Sequence, residues 1–351
     1  MRLEPIAIQS DKTLHICRLD KFIPPFIDLV KENFSFSKHD FLLFGNLQAF
    51  PTKLDKNVIH ITHAYQIFEL ILKLNNSKKI ILHSLFNPII VLLLFLQPWL
   101  LKKCYWIMWG GDLYYFQAPK ITFKARIYEK LRKHIIKNLG FLVNGTTGDV
   151  LLARKWYGAT GAHIKCFNYP SNIYKHYDVG SEPHSTINIQ VGNSADPSNE
   201  HLLIFEKLIP FKGRNIQLFV PLSYGDMKYA SLVMNKGYEL FGDKFHPLKE
   251  LMPFNEYLAF LASIDIAIFN HKRQQAFGNA ITLLGLGKKV YINSESTLGD
   301  VFKEYDIKVF DTNENLTIDL LDSTTQRLNI QSVKNSFSKD SLVETLKTWI
   351  E

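Results

Sequence analysis

Short apolar runs alternate with amphipathic stretches along almost the whole chain. The apolar runs are continuous and bounded by polar residues, as in strands buried on both faces of a parallel sheet. This alternation predicts βαβ units with right-handed crossovers. In the first half the predicted strands are Leu14–Cys17, Phe41–Phe44, Val58–Ile61, Lys79–His83, Cys104–Met108 and Phe141–Val143, and the clearest predicted helices are Ala64–Asn75 and Thr122–Leu139.

The alternation stops at Tyr174–Thr186, a polar stretch with Gly and Pro and no periodicity, which predicts a linker. After it the predicted strands are Ile187–Val191, Leu218–Pro221, Tyr238–Phe241, Ile266–Phe269 and Lys289–Ile292. The predicted helices there are Asn199–Lys207, Phe254–Ser263, Gly278–Leu286 and Leu298–Tyr305. We therefore expect an α/β protein with two Rossmann-like domains, residues 1–173 and 187–351, facing a central cleft that binds ligand.

Composition places the chain among globular proteins, because 46 % of its 351 residues are apolar and 21 % are charged. Cys17, Cys104 and Cys166 form no C-x-x-C pair, which favours a reduced compartment over a disulfide scaffold. The first residues lack the apolar stretch of a signal peptide, so we expect a cytoplasmic protein. Ile89–Leu101 is the most apolar segment and is shorter than the roughly 20 residues of a membrane span, which predicts a core or interfacial helix.

Several familiar sites are excluded by their motifs. The chain has no G-x-x-x-x-G-K-[ST] phosphate loop, no G-x-G-x-x-G after a strand and no Asp-x-Asp pair. His60 and His63 are spaced for a metal, but with no adjacent Glu or Cys they are more typical of ordinary side chains. We expect an activity that needs no metal and no other cofactor.

Two loops of the second domain are suited to a phosphate. The segment Ile189–His201 (IQVGNSADPSNEH) runs from a strand through Gly192 into a helix, so backbone N–H groups point into the loop. An ordinary βα turn explains the same pattern equally well. The segment His271–Asn279 also joins a strand to a helix, and there Arg273 is suited to bidentate contact with a diphosphate. A solvated basic turn is the alternative.

In the first domain two segments are candidates for acid–base chemistry. Trp109–Tyr114 (WGGDLY) follows a strand, and its glycines allow close approach of the backbone to a ligand while Asp112 is suited to a general base. A tight turn with Asp112 as a helix cap is the alternative. His83, at the end of a strand, is the other candidate base, although a lone His there is more often a structural residue.

Residues 120–137 contain seven Lys or Arg and one Glu, a local charge of +6 within a chain whose formal charge is +8. Ile127, Leu131 and Ile135 recur at helical spacing, so this basic amphipathic helix is suited to an anionic membrane surface. A solvated helix face is equally consistent with the pattern. No recognition motif for nucleic acid is present, and we expect none to be bound.

In this order the motifs resemble those of the bacterial TDP-N-acetylfucosamine:lipid II N-acetylfucosaminyltransferases, glycosyltransferase family 56. The resemblance spans roughly residues 80–300 and lies in His83 with Phe86-Asn87-Pro88; Trp109-Gly110 with Asp112-Leu113-Tyr114; Val191-Gly192-Asn193-Ser194, Asp196 and Ser198-Asn199-Glu200-His201; Val220-Pro221 with Tyr224; Phe254 with Tyr257-Leu258-Ala259; and Arg273-Gln274-Gln275 with Gly278. The chain departs from the family pattern at Ser84 and Leu85, which replace Gly-Gln, at Gly111, which replaces Ala, and at Ala276, which replaces Gly.

The resemblance implies a GT-B glycosyltransferase, a hexosyltransferase of cell-surface polysaccharide synthesis. It would move 4-acetamido-4,6-dideoxygalactose from a dTDP-sugar to a polyprenyl-diphosphate-linked saccharide during enterobacterial common antigen synthesis. The protein would be peripheral on the cytoplasmic face of the inner membrane. Without a metal, the charge of the leaving group would be neutralised by Arg273 and helix N-termini.

The resemblance also implies roles for individual residues. Asp112 is the first choice for the base and His83 the second. The residues expected to bind the donor are Gly192, Asn193, Ser194, Asn199, His201, Tyr224, Arg273, Gln274, Gln275 and Gly278. The residues expected on the acceptor side are Asn87, Trp109, Gly110, Gly111 and Tyr114.

Three alternatives remain open at this point. An O-antigen or capsule glycosyltransferase would share the fold and use a different nucleotide-sugar. An epimerase or phosphorylase of the same fold would need no lipid-linked acceptor. A non-catalytic module would bind its partner through the basic helix alone.

Overall fold

The structure is a computed structural model that describes residues 10–175, 185–273 and 275–351. The chain divides into two compact units. The first contains the described residues up to Ser171 together with Leu342–Glu351, and the second is Asn172–Ser341. Most of the predicted linker, residues 174–186, lies outside the described residues.

The first unit is built on a seven-stranded sheet in the order β3-β2-β1-β4-β5-β6-β7. Each strand pairs in parallel with its neighbours. Its strands are β1 Ser10–Arg18, β2 His39–Phe44, β3 Val58–His60, β4 Ser77–His83, β5 Cys104–Ile107, β6 Phe141–Val143 and β7 Ala162–Ile164. Its helices are α1 Ile23–Asn33, α2 Gln66–Asn76, α3 Pro88–Leu96, α4 Gly111–Tyr114, α5 Phe123–Asn138 and α6 Thr147–Tyr157.

The second unit repeats this plan with six parallel strands in the order β10-β9-β8-β11-β12-β13. Its strands are β8 Ile187–Val191, β9 Ile216–Pro221, β10 Phe245–Leu248, β11 Ile266–Phe269, β12 Lys289–Ile292 and β13 Phe310–Asp311. Its helices are α7 His201–Leu208, α8 Met227–Phe241, α9 Phe254–Ser263, α10 Phe277–Gly285, α11 Thr297–Glu304 and α12 Ser323–Ser336. The last helix, α13 Lys339–Ile350, lies mostly in the first unit. Both units therefore have the strand order of a Rossmann fold.

The end of the chain departs from the predicted domain boundary, since the prediction places residues 342–351 in the second domain and the structure packs them in the first. Trp349 stacks on Tyr105 of β5, with ring centroids 5.8 Å apart. The hydroxyl of Thr13 in β1 donates a 3.1 Å hydrogen bond to the Ile350 carbonyl. Apolar contact with the first sheet therefore decides where the last helix lies, and the periodicity of that helix carries no such information.

The predicted strand Tyr238–Phe241 is wrong, because these residues form the last turn of α8. Asp226 begins this helix, and its carboxylate accepts hydrogen bonds from the backbone of Lys228 and Tyr229. Gly242 follows the helix with a positive φ of 55°. The strand comes later, as the edge strand β10, where Pro247 is tolerated because only one side of an edge strand needs its N–H groups.

The apolar segment Ile89–Leu101 forms two elements. Its first part lies in α3, and Pro98 begins a 3₁₀ turn that ends at Lys103. Among the described residues no helix is both long enough and apolar enough to span a bilayer.

Two positions where the resemblance implies a glycine lie in the left-handed region of backbone conformation. Ser84, after β4, has a φ of 70°, and Ala276, before α10, has a φ of 56°. A side chain in this region costs about 1–2 kcal/mol because its Cβ crowds the following carbonyl oxygen. The loops that follow the central strands β4 and β11 therefore both contain backbone strain.

We expect Ala276→Gly to raise the free energy of unfolding by up to about 1 kcal/mol. Relief of about 1–2 kcal/mol of strain exceeds the roughly 0.5–1 kcal/mol that the freer glycine backbone loses on folding. Urea unfolding measures the change. The matched control is Ala259→Gly at an exposed position of α9, which should lower the same quantity by about 1 kcal/mol. Equal destabilisation by both variants would contradict strain at Ala276.

Candidate active site

The candidate residues of the first unit lie at the carboxyl ends of β4 and β5, which are neighbours in the sheet. Asp112 is completely buried there. Its Oδ1 accepts hydrogen bonds from the backbone of Trp109 and Leu113 at 2.9 and 3.1 Å, and its Oδ2 accepts from Leu85 N and Trp106 Nε1 at 2.9 and 2.7 Å. Four donors use all four lone-pair positions of a carboxylate.

In this geometry Asp112 acts as a positioning residue, and its role as the base stays a prediction. Burial raises the pKa of the Asp112 carboxyl, while the hydrogen bonds from Trp106 and the backbone and the charge of Arg132 oppose that rise. The side chain joins the loop after β4 to the loop after β5. It has no free lone pair to accept a proton from an acceptor hydroxyl.

Arg132 completes this junction from α5. Its guanidinium is fully buried and donates to the backbone carbonyls of Leu85 and Asp112, and also to Glu129 Oε2 at 2.6 Å. The sequence pattern predicts that Arg132 is one of the cations of a basic surface. This prediction is wrong, because Arg132 is buried. A buried guanidinium needs such partners, because an unpaired charge in the interior is very costly.

His83 belongs to a chain of buried hydrogen-bonding side chains. Its Nδ1 lies 2.8 Å from the Tyr169 hydroxyl and its Nε2 lies 3.1 Å from Nδ1 of His15, whose Nε2 lies 3.0 Å from Nδ1 of His39. Burial lowers the pKa of His83 to about 3 and, together with Lys79, that of His39 to about 4. Both nitrogens of His83 lie within hydrogen-bond distance of a side chain of the protein, so here it links β4 to its neighbours, and its role as a base stays a prediction.

The predicted acceptor-side residues lie beside this network. Asn87 begins α3, and its side chain accepts a 2.9 Å hydrogen bond from Ile89 N. Trp109 donates its Nε1–H to the Tyr169 hydroxyl at 2.7 Å. Gly110 has a φ of 77°, which favours glycine, and a Cβ at Gly111 would come within 3.3 Å of the Phe86 ring. Tyr114 is half-buried against Trp156.

In the second unit the candidate donor loop follows the central strand β8. Gly192 has a φ of 69°, and a Cβ there would overlap His201 Nε2 and lie 2.7 Å from Asn199 Oδ1. Only glycine fits this position. The backbone consequently turns tightly from the strand toward α7, which is the approach that a phosphate-binding loop needs.

Two amides and an imidazole hold this loop. Asn199 Oδ1 accepts from Asn193 N at 3.0 Å and lies 2.9 Å from His271 Nε2, which is also 3.0 Å from Asn193 Oδ1. Burial lowers the pKa of His271 to about 3, with His201 and Arg273 adding to the effect. His271 is therefore neutral and, because both neighbours are oxygens, carries its proton on Nε2. Ser194 is buried within 3.4 Å of the Asn199 amide.

Arg273 lies in the loop after β11, and its guanidinium forms a 2.8 Å ion pair with Asp196. Burial alone would raise the pKa of Asp196, but hydrogen bonds from Ser198 and the contact with Arg273 outweigh it and lower that pKa. The Gln275 amide lies 3.1 Å from the Ser198 hydroxyl and, with its oxygen turned to Arg273, accepts from the guanidinium. The structure therefore brings Arg273 and Gln275 against the Gly192 loop.

The remaining donor residues have distinct positions. Tyr224 follows β9 with its ring partly exposed, and its hydroxyl accepts a 3.3 Å hydrogen bond from the Asn193 amide. Gly278 lies in the first turn of α10. His201 is fully buried with a pKa lowered to about 4 by burial, and its Nε2 has no hydrogen-bond partner in the part of the chain that the structure describes. Gln274 lies outside the described residues.

His271 and Arg132 are the positioning residues that sequence reasoning missed. A signal for His271 was present, since it directly follows a strand that neighbours β8. Arg132 gave no such signal, because a charged residue within a basic helix is typically exposed.

No group of three or more His, Cys, Asp or Glu side chains among the described residues is arranged to hold a metal. His60, one of the two spaced histidines, has Nε2 2.8 Å from the Gly45 carbonyl oxygen. His63 stacks on the ring of Tyr65.

Several solved structures share this arrangement of two Rossmann-like units. Anabaena HepE in complex with UDP-glucose has a TM-score of 0.64 and 11 % identity, with 96 % of this chain and 98 % of that chain covered. A glycosyltransferase from Rickettsia africae has a TM-score of 0.64 and 15 % identity, covering 96 % and 97 %. Sucrose-phosphate synthase from Thermosynechococcus elongatus has a TM-score of 0.63 and 11 % identity, covering 96 % and 98 %.

These similarities establish the GT-B glycosyltransferase fold. Residues 32–347 match the family described as 4-alpha-L-fucosyltransferase, glycosyl transferase group 56. The chain belongs to this family and is a glycosyltransferase.

We expect Asp112→Asn to lower the free energy of unfolding by about 1–3 kcal/mol for each donor left unpaired, because an amide presents one acceptor atom where the carboxylate presents two. Urea unfolding and kcat are measured on the same preparation. A stability equal to wild type with kcat reduced roughly 100-fold or more would instead restore Asp112 as the base.

The buried histidines predict acid lability. Burial holds the folded-state pKa values of His15, His39 and His83 below 6.5, so the unfolded chain binds more protons once the pH falls below about 6.5. The free energy of unfolding should therefore fall by about 1.4 kcal/mol per pH unit for each imidazole. Urea unfolding between pH 7.5 and 5 measures this slope.

A matched pair of variants tests whether His83 contributes to this pH dependence of the free energy of unfolding. His83→Gln should make it shallower by about 1.4 kcal/mol per pH unit, since one proton-binding group is removed. His134→Gln, at an exposed position of α5, is the matched control. Identical slopes for both variants would show that His83 does not contribute.

Proposed function

We propose that this glycosyltransferase moves a deoxy-acetamido sugar, 4-acetamido-4,6-dideoxygalactose, from a dTDP-sugar to a polyprenyl-diphosphate-linked saccharide. The observation that carries the proposal is the Gly192 loop. There a glycine-only turn, Asn193 and Asn199 converge with Arg273 at the carboxyl ends of β8 and β11. Family membership supports the reaction class, and the UDP-glucose complex of the similar HepE supports a nucleotide-sugar donor.

The donor diphosphate would lie over this loop. Two helices, α7 and α10, begin at the loops after β8 and β11, and helix N-termini stabilise anions through their free N–H groups. Arg273 donates from Nη2 to Asp196 and also donates to the Gln275 oxygen, which leaves its other terminal nitrogen, Nη1, for a phosphate oxygen. These groups would stabilise the nucleotide diphosphate as it leaves, without a requirement for a metal.

The acceptor would be bound by the first unit. Asp112, Arg132 and His83 fix the loops after β4 and β5 from inside, so the backbone around Trp109 and Gly110 is presented in one conformation. Preorganised loops of this kind position a substrate without a further entropy cost for ordering the loops themselves. The residues proposed for the acceptor remain Asn87, Trp109, Gly110, Gly111 and Tyr114.

A lipid-linked acceptor requires contact with the cytoplasmic face of the inner membrane, and α5 is suited to that contact. Lys124, Arg126, Lys130, Lys133 and Lys137 are all exposed on this helix, whereas its single acid, Glu129, is paired with the buried Arg132. Such a surface attracts anionic headgroups by about 1 kcal/mol for each cation near the membrane.

A different nucleotide is the second candidate. HepE binds UDP and UDP-glucose, so an O-antigen or capsule transferase that uses a UDP-sugar would share the fold and the Gly192 loop.

The decisive experiment measures nucleotide release from dTDP-, UDP- and GDP-sugars, with and without a polyprenyl-diphosphate glycan. We expect dTDP release that depends on the acceptor. Release of UDP or GDP would replace the proposed donor, and no release from any donor would contradict the proposed reaction.

Arg273→Ala should weaken donor binding by roughly 10–100-fold, the effect of losing a charge-assisted hydrogen bond to phosphate. Isothermal titration with the dTDP-sugar measures the affinity. Arg214→Ala is the matched control, since Arg214 is exposed and precedes β9, at the opposite edge of the same sheet. An affinity for the dTDP-sugar that is unchanged in Arg273→Ala would show that Arg273 does not bind the donor.

A further inference from the structure

Helix α3 lies at the surface and has no polar face. All nine of its residues are apolar, and Ile89, Leu92, Phe95 and Leu96 are exposed, Leu96 by 60 %. A surface helix of a globular protein normally carries polar residues on its outer side, and one that is apolar all round is buried in protein or in lipid. The outer side of α3 therefore lacks its partner.

The apolar surface continues onto α2. Tyr65, Phe68 and Leu72 follow one another at helical spacing and are all exposed, Phe68 by 69 %. One turn further along α2, Asn75 accepts a 3.0 Å hydrogen bond from Trp99 Nε1, and Trp99 is 65 % exposed just beyond α3. We call this surface the apolar face; its members are Tyr65, Phe68, Leu72, Ile89, Leu92, Phe95, Leu96 and Trp99.

Cations border the apolar face along α5. The ring of Phe95 meets the ring of His134 with centroids 5.4 Å apart, so the two helices are neighbours. Lys130, Lys133 and Lys137 surround His134 on the exposed side of α5. An apolar surface next to a basic one matches the acyl region and the anionic headgroups of a bilayer.

We propose that the apolar face inserts into the acyl boundary of an anionic membrane, while α5 lies against the headgroups. This inference rests on the proposed function and adds a second, hydrophobic component to membrane binding. Trp99 and Tyr65 are the residue types that prefer the interface, because each combines an apolar ring with a polar atom. A second copy of this chain is the disfavoured occupant, because pairing two such faces would bring two sets of α5 cations together.

The two components differ in their dependence on salt. Attraction between lysines and headgroups is screened as ionic strength rises, whereas burial of apolar surface persists. The protein should consequently keep part of its membrane binding at high salt. A basic helix acting alone would lose nearly all of it.

The test is flotation of the full chain with phosphatidylcholine vesicles that contain or lack phosphatidylglycerol, each at low and high salt. The variant Leu92→Ser/Leu96→Ser removes apolar area from the face. Its matched control is Leu232→Ser/Leu328→Ser, at similarly exposed leucines of α8 and α12. The variant Lys130→Gln/Lys133→Gln/Lys137→Gln removes charge alone, and unfolding midpoints confirm that every variant is folded.

We expect Leu92→Ser/Leu96→Ser to weaken partitioning at high salt by roughly tenfold, with the leucine control unchanged. The lysine variant should lose binding mainly at low salt and only on vesicles with phosphatidylglycerol. Wild-type partitioning by Leu92→Ser/Leu96→Ser at both salts would overturn the inference. So would sedimentation showing a wild-type dimer that this variant dissociates.

The nucleotide-release assay with detergent-solubilised glycan separates this inference from the proposed function. Acceptor-dependent dTDP release together with unaltered flotation of the leucine variant would retain the function and reject the insertion. The opposite result is salt-resistant flotation that depends on Leu92 and Leu96, without release of any nucleotide. It would support membrane insertion and contradict the proposed donor and acceptor.

Discussion

The parallel direction of every strand in both sheets is the constraint on which the rest of the molecule depends. Parallel strands place all their carboxyl ends at one edge, so the loops that follow β4 and β5 lie side by side, as do those after β8 and β11. Residues distant in sequence, such as Asn199 and His271, come within 2.9 Å for this reason alone. The same constraint buries both faces of each central strand. Polar side chains on these strands therefore form their hydrogen bonds within the protein.

Much of the fold could be predicted from the chain because its signals are local. The helix Phe254–Ser263 has the predicted bounds, and the predicted central strands lie within or overlap the observed ones. Tyr238–Phe241 shows where local signals conflict: a short aromatic and aliphatic run resembles a strand, but the cap at Asp226 had already begun a helix that reaches it. The position of α13 depends on which of the two sheets it packs against, and the periodicity of its sequence does not predict which one.

The loops that form the candidate site were predictable from the sequence. The roles of the individual residues in those loops were less so. Glycine at 192 and an arginine at 273 were predictable from what a phosphate-binding turn requires. The structure brings Arg273 onto Asp196 of the Gly192 loop, and their binding of a donor stays a prediction. The sequence favours Asp112 as a base because a carboxylate that follows a strand end is suited to that role. Whether such a group faces solvent or four donors depends on Trp106 and Leu85, which are ordinary apolar residues in the sequence.

The return of the last ten residues to the first unit has a consequence for synthesis on the ribosome. Domains generally fold as units while the chain emerges, the N-terminal one first. Here the contact between Thr13 and Ile350 joins residues 337 positions apart, and Trp349 completes the packing on Tyr105. The first unit therefore completes its packing last, because residues 342–351 are translated only after residues 172–341 of the second unit.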